Sequence, residues 1–113
     1  MDPTAAAEHP PFTLARWLVN PGQADAFVAA WRELATFFLG LAQPTPWGLL
    51  LRSVDDPRLF YSFGPWPSLE AIAAMRADPR AAAALGRLTA LCEAASPGSY
   101  LVAAVGGTPP PLR

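Results

Sequence analysis

The stretch FYSFGPWPSLEAIAAMRADP, residues 60–79, changes its hydrophobic period halfway along. Its first part alternates in steps of two, as in a β-strand, and its second part follows the spacing of a helix. Gly64 and Pro65 mark the break, and Trp66 stands directly after it. The period of two places Ser62, Gly64 and Trp66 on one face of the strand. The stretch therefore predicts a strand-to-helix junction with a tryptophan at the turn.

The rest of the chain divides into strands and helices by the same signals. Alternating or continuous apolar residues predict strands at 12–19, 47–54, 58–63 and 99–105. Apolar residues at steps of three and four, with capping residues before them, predict helices at 23–41, 69–77 and 79–95. The turn sequence SPG at 96–98 is expected to end the last helix. The order β-α-β-β-α-α-β predicts a ferredoxin-like α+β fold, in which helices cover one face of an antiparallel sheet.

One domain is expected over residues 12–105, because a chain of 113 residues leaves little room for a second. The segments 1–11 and 106–113 are rich in proline and glycine without hydrophobic periodicity, so we expect flexible tails there. The first three strands are apolar on both faces, but helices can cover only one. A second copy of the chain is the simplest cover for the other face, and we therefore expect a homodimer.

Composition excludes several classes of function. The formal net charge is −1 and no basic stripe is present, so nucleic-acid binding is not expected. The lone histidine, His9, excludes a metal site built from several histidines and is interpreted as a solvated tail residue rather than a base. The single cysteine, Cys92, is expected as a small buried side chain on a helix and fits a cytoplasmic location. No metal, secretory signal or membrane-spanning helix is predicted.

A series of motifs follows along residues 12–105, namely NPG (20–22), FVAAW (27–31), LLRSVDDPRLFYSFGPW (50–66), WPSLEAI (66–72) and RADP (76–79). With these motifs the chain resembles the antibiotic biosynthesis monooxygenase family of dimeric α+β barrel proteins. The resemblance implies that two subunits pack their sheets together and that each holds a pocket between sheet and helices. Some relatives oxygenate polycyclic phenols without metal or flavin, others degrade haem, and fold alone does not decide between them.

The haem-degrading relatives use three residues that can be compared with this chain. They have an asparagine on the first strand, a tryptophan at the junction and a histidine on the last long helix. Here Trp66 matches the tryptophan, Ala15 stands where the asparagine is expected, and the helix over residues 79–95 contains no histidine. Haem degradation is therefore not expected, and no cofactor is predicted.

Cofactor-free oxygenation requires few protein groups, because a phenolic substrate supplies its own electrons. The protein must help to remove a proton, hold the resulting anion and exclude water. If Trp66 points at the helices, as in the relatives, Ser62 lines the same cavity, and the indole N–H can donate to a phenolate or quinone oxygen. Trp66 and Ser62 are thus the predicted catalytic residues. The alternative for Trp66 is a purely packing role at the junction.

Five further residues are predicted to line the pocket: Trp17, Arg16, Arg52, Tyr100 and Trp31. The two arginines lie in apolar strands, where a guanidinium needs a partner. That partner is a carboxylate or carbonyl group, with Asp55, Asp56, Glu33 and a residue across the dimer interface as candidates, or it is an anionic ligand. Tyr61 is expected to face the partner sheet. The resemblance therefore implies a cofactor-independent monooxygenase acting on a small apolar aromatic compound, with a non-catalytic ligand-binding or structural dimer as the alternative.

Overall fold

The computed structural model describes residues 9–108, so parts of both predicted tails, residues 1–8 and 109–113, lie outside the described residues. The elements follow the predicted order: β1 (Phe12–Val19), α1 (Ala24–Leu39), β2 (Leu49–Arg52), β3 (Leu59–Pro65), α2 (Leu69–Ala77), α3 (Pro79–Ala90) and β4 (Cys92–Tyr100). A four-stranded antiparallel sheet carries three helices, which confirms the predicted ferredoxin-like α+β fold. None of the helices in this part of the chain has both the length and the apolar character needed to span a bilayer.

The sheet has the strand order β2-β3-β1-β4, with every neighbouring pair antiparallel. In the register of β1 and β3, Ala15 lies opposite Ser62 and Trp17 lies opposite Phe60. Directly opposed residues share a face of the sheet, so these four side chains point the same way. Phe27 of α1 packs on them, with its ring centroid 5.5 Å from that of Trp17 and 5.2 Å from that of Phe60. We call this side of the sheet the helix face.

Two buried clusters hold the helices on the helix face. The larger one joins β1, β3, α1 and α3 through Ala15, Trp17, Val19, Phe27, Leu34, Phe60, Ala84 and Leu88. The smaller one surrounds the junction after β3 and contains Trp66, Ala71, Ile72, Met75 and Ala81. Capping fixes the start of the helix that supplies most of the smaller cluster, since Ser68 Oγ accepts a hydrogen bond of 3.0 Å from the N–H of Ala71.

The last strand begins earlier than predicted. The expected helix over 79–95 and strand over 99–105 are wrong, because α3 ends at Ala90 and β4 already begins at Cys92. The turn sequence SPG therefore lies inside the strand, where Pro97 is opposite Ala15. Proline is tolerated there because β4 is an edge strand, bonded on one side only. Cys92 is thus a strand residue rather than a helix residue, and partial burial raises the pKa of its thiol.

The loop of the hairpin between β2 and β3 is longer than predicted, because β2 ends at Arg52 rather than at residue 54 and β3 begins at Leu59 rather than at residue 58. Ser53 leaves the strand because its Oγ accepts hydrogen bonds of 3.1 Å from the N–H groups of Asp55 and Asp56.

Near its C-terminal end, β3 passes very close to the segment that precedes β2. A Cβ atom on Gly64 would lie 2.5 Å from the carbonyl oxygen of Trp47, so only glycine fits this crossing.

The second side of the sheet carries no helix, and we call it the open face. Its residues include Arg16, Leu49, Leu51, Tyr61 and Tyr100, which the strand registers place together. Tyr61 faces away from Ser62, as predicted. The large apolar side chains here remain half exposed, with 50% of Leu51 and 38% of Tyr61 accessible. Exposure of this kind across several strands marks a surface suited to a partner.

Candidate functional site

A cavity of about 760 Å³ lies between the helix face and the three helices. Its size falls within the range of small-molecule sites, roughly 300 to 1,000 Å³. The walls are mainly apolar and contain all four tryptophans of the chain, which are Trp17, Trp31, Trp47 and Trp66. Both buried clusters contribute to its wall, for example through Leu34 of the larger cluster and Met75 of the smaller one.

Trp17 and Ser62 form the first polar pair of the cavity wall. Trp17 lies on β1 and is 4% exposed, and its Nε1 donates a hydrogen bond of 2.9 Å to Ser62 Oγ on β3. The strands bring the two together because Ala15, two residues before Trp17, is directly opposite Ser62. Ala15 is small, so it leaves room for the indole to reach across. The indole is thereby fixed, and the serine oxygen is held at the wall of the cavity.

Trp66 and Thr13 form the second pair. Trp66 is 2% exposed, and its Nε1 donates a hydrogen bond of 3.0 Å to Thr13 Oγ1. Its backbone N–H donates to the carbonyl of Pro11 at 2.9 Å, and its ring meets Phe38 edge-on at 5.1 Å between centroids. The indole N–H, predicted to be available for a ligand, is thus already used within the protein. The buried ring also serves the packing role that was the alternative.

Thr13 was not among the residues singled out from the sequence. It lines the cavity because it precedes Ala15 and Trp17 by steps of two and therefore shares their face of β1. The period of two could have placed it on that face. The sequence could not show that the indole of Trp66, far along the chain, reaches its hydroxyl.

The remaining hydroxyls of the cavity wall belong to two threonines, and both donate their hydrogen to backbone carbonyl groups. Thr45 Oγ1 lies 2.5 Å from the carbonyl oxygen of Pro65 and 2.9 Å from that of Trp47, so its single hydrogen is shared between these two backbone acceptors. Thr89 Oγ1 donates to the carbonyl of Leu85 at 2.7 Å, within its own helix. Both hydroxyl hydrogens therefore serve the backbone, whereas those of Thr13 and Ser62 bond to no acceptor within residues 9–108.

Charge is scarce around the cavity. Arg76, exposed on the last turn of α2, is the single ionisable side chain among the described residues that line it. The ion pairs of the described chain lie elsewhere, between Arg58 and Glu93 at 3.0 Å and between Arg80 and Asp78 at 2.9 Å. No carboxylate or imidazole of residues 9–108 borders the cavity, and this part of the chain holds no cluster of metal-ligating side chains.

The other predicted site residues are divided between the cavity and the rest of the sheet. Trp31 lines the cavity, whereas Arg16, Arg52 and Tyr100 lie outside its lining. Arg16 and Tyr100 are exposed on the open face. Arg52 Nε donates to the carbonyl of Pro57 at 2.8 Å, and its guanidinium lies 5.3 Å from the ring centroid of Phe60.

Within the described residues, neither strand arginine forms an ion pair with Asp55, Asp56 or Glu33, the candidates from the same chain. The expectation assumed that both side chains would be covered. Arg16 is instead exposed to solvent, which satisfies its charge directly, and Arg52 finds a backbone carbonyl in its own hairpin. Neither residue therefore needs a buried acidic partner.

Comparisons with known proteins give results for structure but not for sequence. The sequence matches no family model and no curated protein. SnoaB, a cofactor-independent oxygenase from Streptomyces nogalater, has a TM-score of 0.71 at 22% identity, with 90% of this chain and 99% of that chain covered. An antibiotic biosynthesis monooxygenase structure has a TM-score of 0.69 at 19% identity, with 85% and 99% covered.

A third similar structure is described only as a conserved protein, and it comes from Methanosarcina mazei Go1. Its TM-score is 0.73 at 10% identity, with 86% of this chain and 96% of that chain covered. Likeness at such identities concerns the course of the backbone rather than the chemistry of the site. The chain thus has the ferredoxin-like α+β fold of the antibiotic biosynthesis monooxygenase structures, in agreement with the resemblance found in its sequence.

Proposed function

We propose that this protein is a cofactor-independent monooxygenase that oxidises a small apolar aromatic compound in the cavity between sheet and helices. The observation that carries the proposal is the cavity itself, about 760 Å³ in volume, walled by aromatic rings and bordered by two paired hydroxyl groups. A phenolic or polyketide-like ring system fits such a wall through apolar contact and aromatic stacking. The similarity to cofactor-independent oxygenase structures supports the same conclusion.

The reaction of this class needs only the substrate and molecular oxygen. An anthrone-like substrate has a CH₂ group flanked by aromatic rings and becomes a strongly reducing anion once one proton leaves. Oxygen adds one atom to that carbon to form a carbonyl, and the second oxygen atom leaves as water with the two hydrogens. The substrate supplies all four electrons. The protein therefore contributes binding, orientation and stabilisation of the anion rather than a redox centre.

The anion is favoured by the charge at the edge of the cavity. Arg76 is positively charged, and no negative side chain among the described lining residues opposes it. A nearby positive charge lowers the pKa of a phenol or anthrone, because it stabilises the ionised form. The substrate proton can then pass to solvent without a dedicated base. In this mechanism Ser62 holds the substrate oxygen with its hydroxyl, and Trp66 forms the adjoining wall.

Oxygen uptake tests the proposal directly. Anthrone added to the protein should consume oxygen faster than in buffer and yield anthraquinone, with one O₂ used per product. Gly86→Leu is a blocking variant, because Gly86 lines the cavity and nothing lies within 4 Å of a Cβ built there. It should abolish the excess uptake. Ala83→Leu, on the same helix but outside the cavity lining, is the matched control and should retain it.

The alternative is a protein that binds an apolar compound without transforming it. One observation favours it: no carboxylate or imidazole among residues 9–108 borders the cavity as a general base. Binding of anthrone and related phenols with no uptake above the buffer rate, across a range of pH, would establish this alternative and refute the oxygenase.

Pairing of two copies through their open faces belongs to the same proposal. The half-exposed side chains of Leu49, Leu51, Tyr61 and Tyr100 spread over three strands of that face. Burying them against an identical surface removes apolar area from water in both copies at once. The cavity lies on the opposite side of the sheet, so the pairing leaves its helix walls in place.

A further inference from the structure

We infer that the hydroxyl groups of Thr13 and Ser62 are the hydrogen-bond donors that hold the oxygen atoms of the ligand, and that the indole N–H groups of Trp17 and Trp66 act on those oxygens only through the hydroxyls. The inference rests on the proposed function, because it concerns the ligand of the same cavity. It assigns a ligand contact to Thr13 and gives the Trp66 N–H a positioning role in place of a direct hydrogen bond to the ligand.

The first step of the argument is that both indole donors are already used. An indole has a single N–H and no acceptor. That of Trp17 donates to Ser62 Oγ at 2.9 Å, and that of Trp66 donates to Thr13 Oγ1 at 3.0 Å. Both tryptophans are almost completely buried, so neither can turn toward a ligand without repacking its cluster. A ligand in the cavity therefore meets the rings as apolar walls.

The second step concerns the hydrogens of the two hydroxyls. A hydroxyl group offers one donor and two acceptor positions. Thr13 and Ser62 each use an acceptor position for an indole, and neither donates to any acceptor within residues 9–108. Thr45 and Thr89, the other hydroxyl residues of the described lining, both donate to backbone carbonyls. Only the first two can therefore donate to a ligand without breaking a bond.

The third step is that the indoles strengthen these donors. A hydroxyl that accepts one hydrogen bond becomes a better donor in the next, and the effect is larger in an apolar surrounding than in water. The wall around Thr13 and Ser62 is mainly apolar. Each tryptophan thus fixes the hydroxyl oxygen in place and raises its strength as a donor. This explains how a tryptophan can influence the ligand without contacting its oxygen atoms.

The fourth step is the spacing, which selects the class of ligand. Thr13 is directly opposite Gly64 in the sheet, and Ser62 lies two residues before Gly64 on the same face. Such diagonal neighbours are roughly 7 to 8 Å apart at the backbone. Their hydroxyls branch from two separate positions on one cavity wall, so together they can hold two oxygen atoms of one ligand, such as the opposed oxygens of a para-quinone ring. One hydroxyl then holds the oxygen already on the substrate, and the other faces the carbon that is oxidised.

Equilibrium dialysis with duroquinone and durene tests the inference. Both probes carry four methyl groups on one six-membered ring, but only duroquinone has two opposed oxygens. The ring of duroquinone is fully substituted, so the thiol of Cys92 has no free ring carbon to attack. Thr13→Val and Ser62→Ala should each weaken duroquinone binding about three- to tenfold. Durene binding should not change. Thr89→Val is the matched control, since that hydroxyl donates to Leu85, and it should alter neither affinity.

A double-mutant cycle separates the positioning role of Trp66 from a direct contact. Trp66→Phe removes the N–H and should weaken duroquinone binding about twofold in the native background. In the Thr13→Val background the same change should have no further effect on the preference for duroquinone over durene. An undiminished loss in that background would show that the indole contacts the ligand itself and would overturn the inference. Thr13→Ser keeps the hydroxyl and should restore duroquinone binding if Thr13→Val folds poorly.

Failure of the inference can be told apart from failure of the proposed function. If both probes bind and the preference for duroquinone survives in Thr13→Val and Ser62→Ala, the hydroxyls do not hold the oxygens, and the inference is wrong while the ligand cavity stands. If the native protein binds neither probe and takes up no oxygen with anthrone, the cavity does not serve such compounds, and both statements are wrong.

Discussion

The helix face and the open face of the sheet are both rich in apolar residues, but one chain covers only the first. On the helix face, Trp17 and Phe60 are 4% and 1% exposed. On the open face, Leu51 and Tyr61 are 50% and 38% exposed. Apolar composition alone therefore does not distinguish a ligand site from an interface. The faces differ in shape, since the helices enclose a volume on one side and leave the other open.

Polar groups separate the two faces further. The helix face carries hydroxyls of Thr13 and Ser62, and each is held by the indole of a buried tryptophan. On the open face the described polar side chain of β1 is Arg16, which is exposed to solvent. Fixed donors inside a partly enclosed cavity suit a small ligand, whereas a half-exposed apolar surface with a solvated charge suits another protein surface.

The largest effect is expected from Phe27→Ala on the helix face. Phe27 is fully buried between Trp17 and Phe60, so truncation should lower the free energy of unfolding by about 3 to 5 kcal/mol. Urea denaturation followed by circular dichroism measures it. Val54→Ala, at a position that is 99% exposed, is the control and should change stability by less than about 0.5 kcal/mol. Similar losses in the two variants would contradict the difference between covered and open surfaces.

The open face is tested by Leu51→Glu, which should weaken dimerisation about a hundredfold. The reason is that an unpaired carboxylate would be buried twice in a symmetric interface. Light scattering should give about twice the 12.0 kDa mass for the native protein and the single mass for the variant. Val54→Glu adds the same charge in the nearby hairpin loop and should remain dimeric. A native protein that is monomeric at micromolar concentration would refute the pairing of open faces.

The variant Arg76→Gln tests the charge at the cavity. It should change the reaction on the helix face and leave pairing through the open face unchanged. Removing the cation should raise the pKa of the bound anthrone, so the midpoint of the rate against pH should move upward by about 0.5 to 1 unit. The measurement is oxygen uptake with anthrone between neutral and alkaline pH. Arg32→Gln removes a charge that lies outside the cavity lining and should leave the midpoint unchanged. An equal shift in both variants would indicate a general effect of net charge.

The smallest effect is expected from Ser68→Ala at the start of α2. Loss of the hydrogen bond from Ala71 N–H should lower the free energy of unfolding by about 1 kcal/mol. Because α2 packs only on the helix face, dimerisation should not change. Ser68→Asp keeps a capping oxygen and should recover most of the stability. If Ser68→Ala also altered the mass in solution, the two faces would be less independent than the structure indicates.

Much of the fold could be predicted from local sequence patterns. The wrong predictions concern features that depend on contacts between distant parts of the chain. The bounds of β1 and α2 were predicted as observed, because period and capping are properties of short segments. The turn sequence around Pro97 led to a wrong boundary for the last strand. A strand tolerates this proline because β4 lies at the edge of the sheet, and the sequence does not show which strand is at the edge. The site shows the same limit. The pattern placed Ser62 on a face, but only the folded chain shows which hydroxyl each indole meets.

The gathering of all four tryptophans around one cavity has a consequence for spectroscopy. Trp17, Trp31, Trp47 and Trp66 all border the same space, so the protein has no tryptophan elsewhere to contribute a constant background. A quinone that enters the cavity accepts energy or an electron from an excited indole and quenches its emission. The intrinsic fluorescence of the unlabelled protein is therefore a direct readout of whether the cavity is filled.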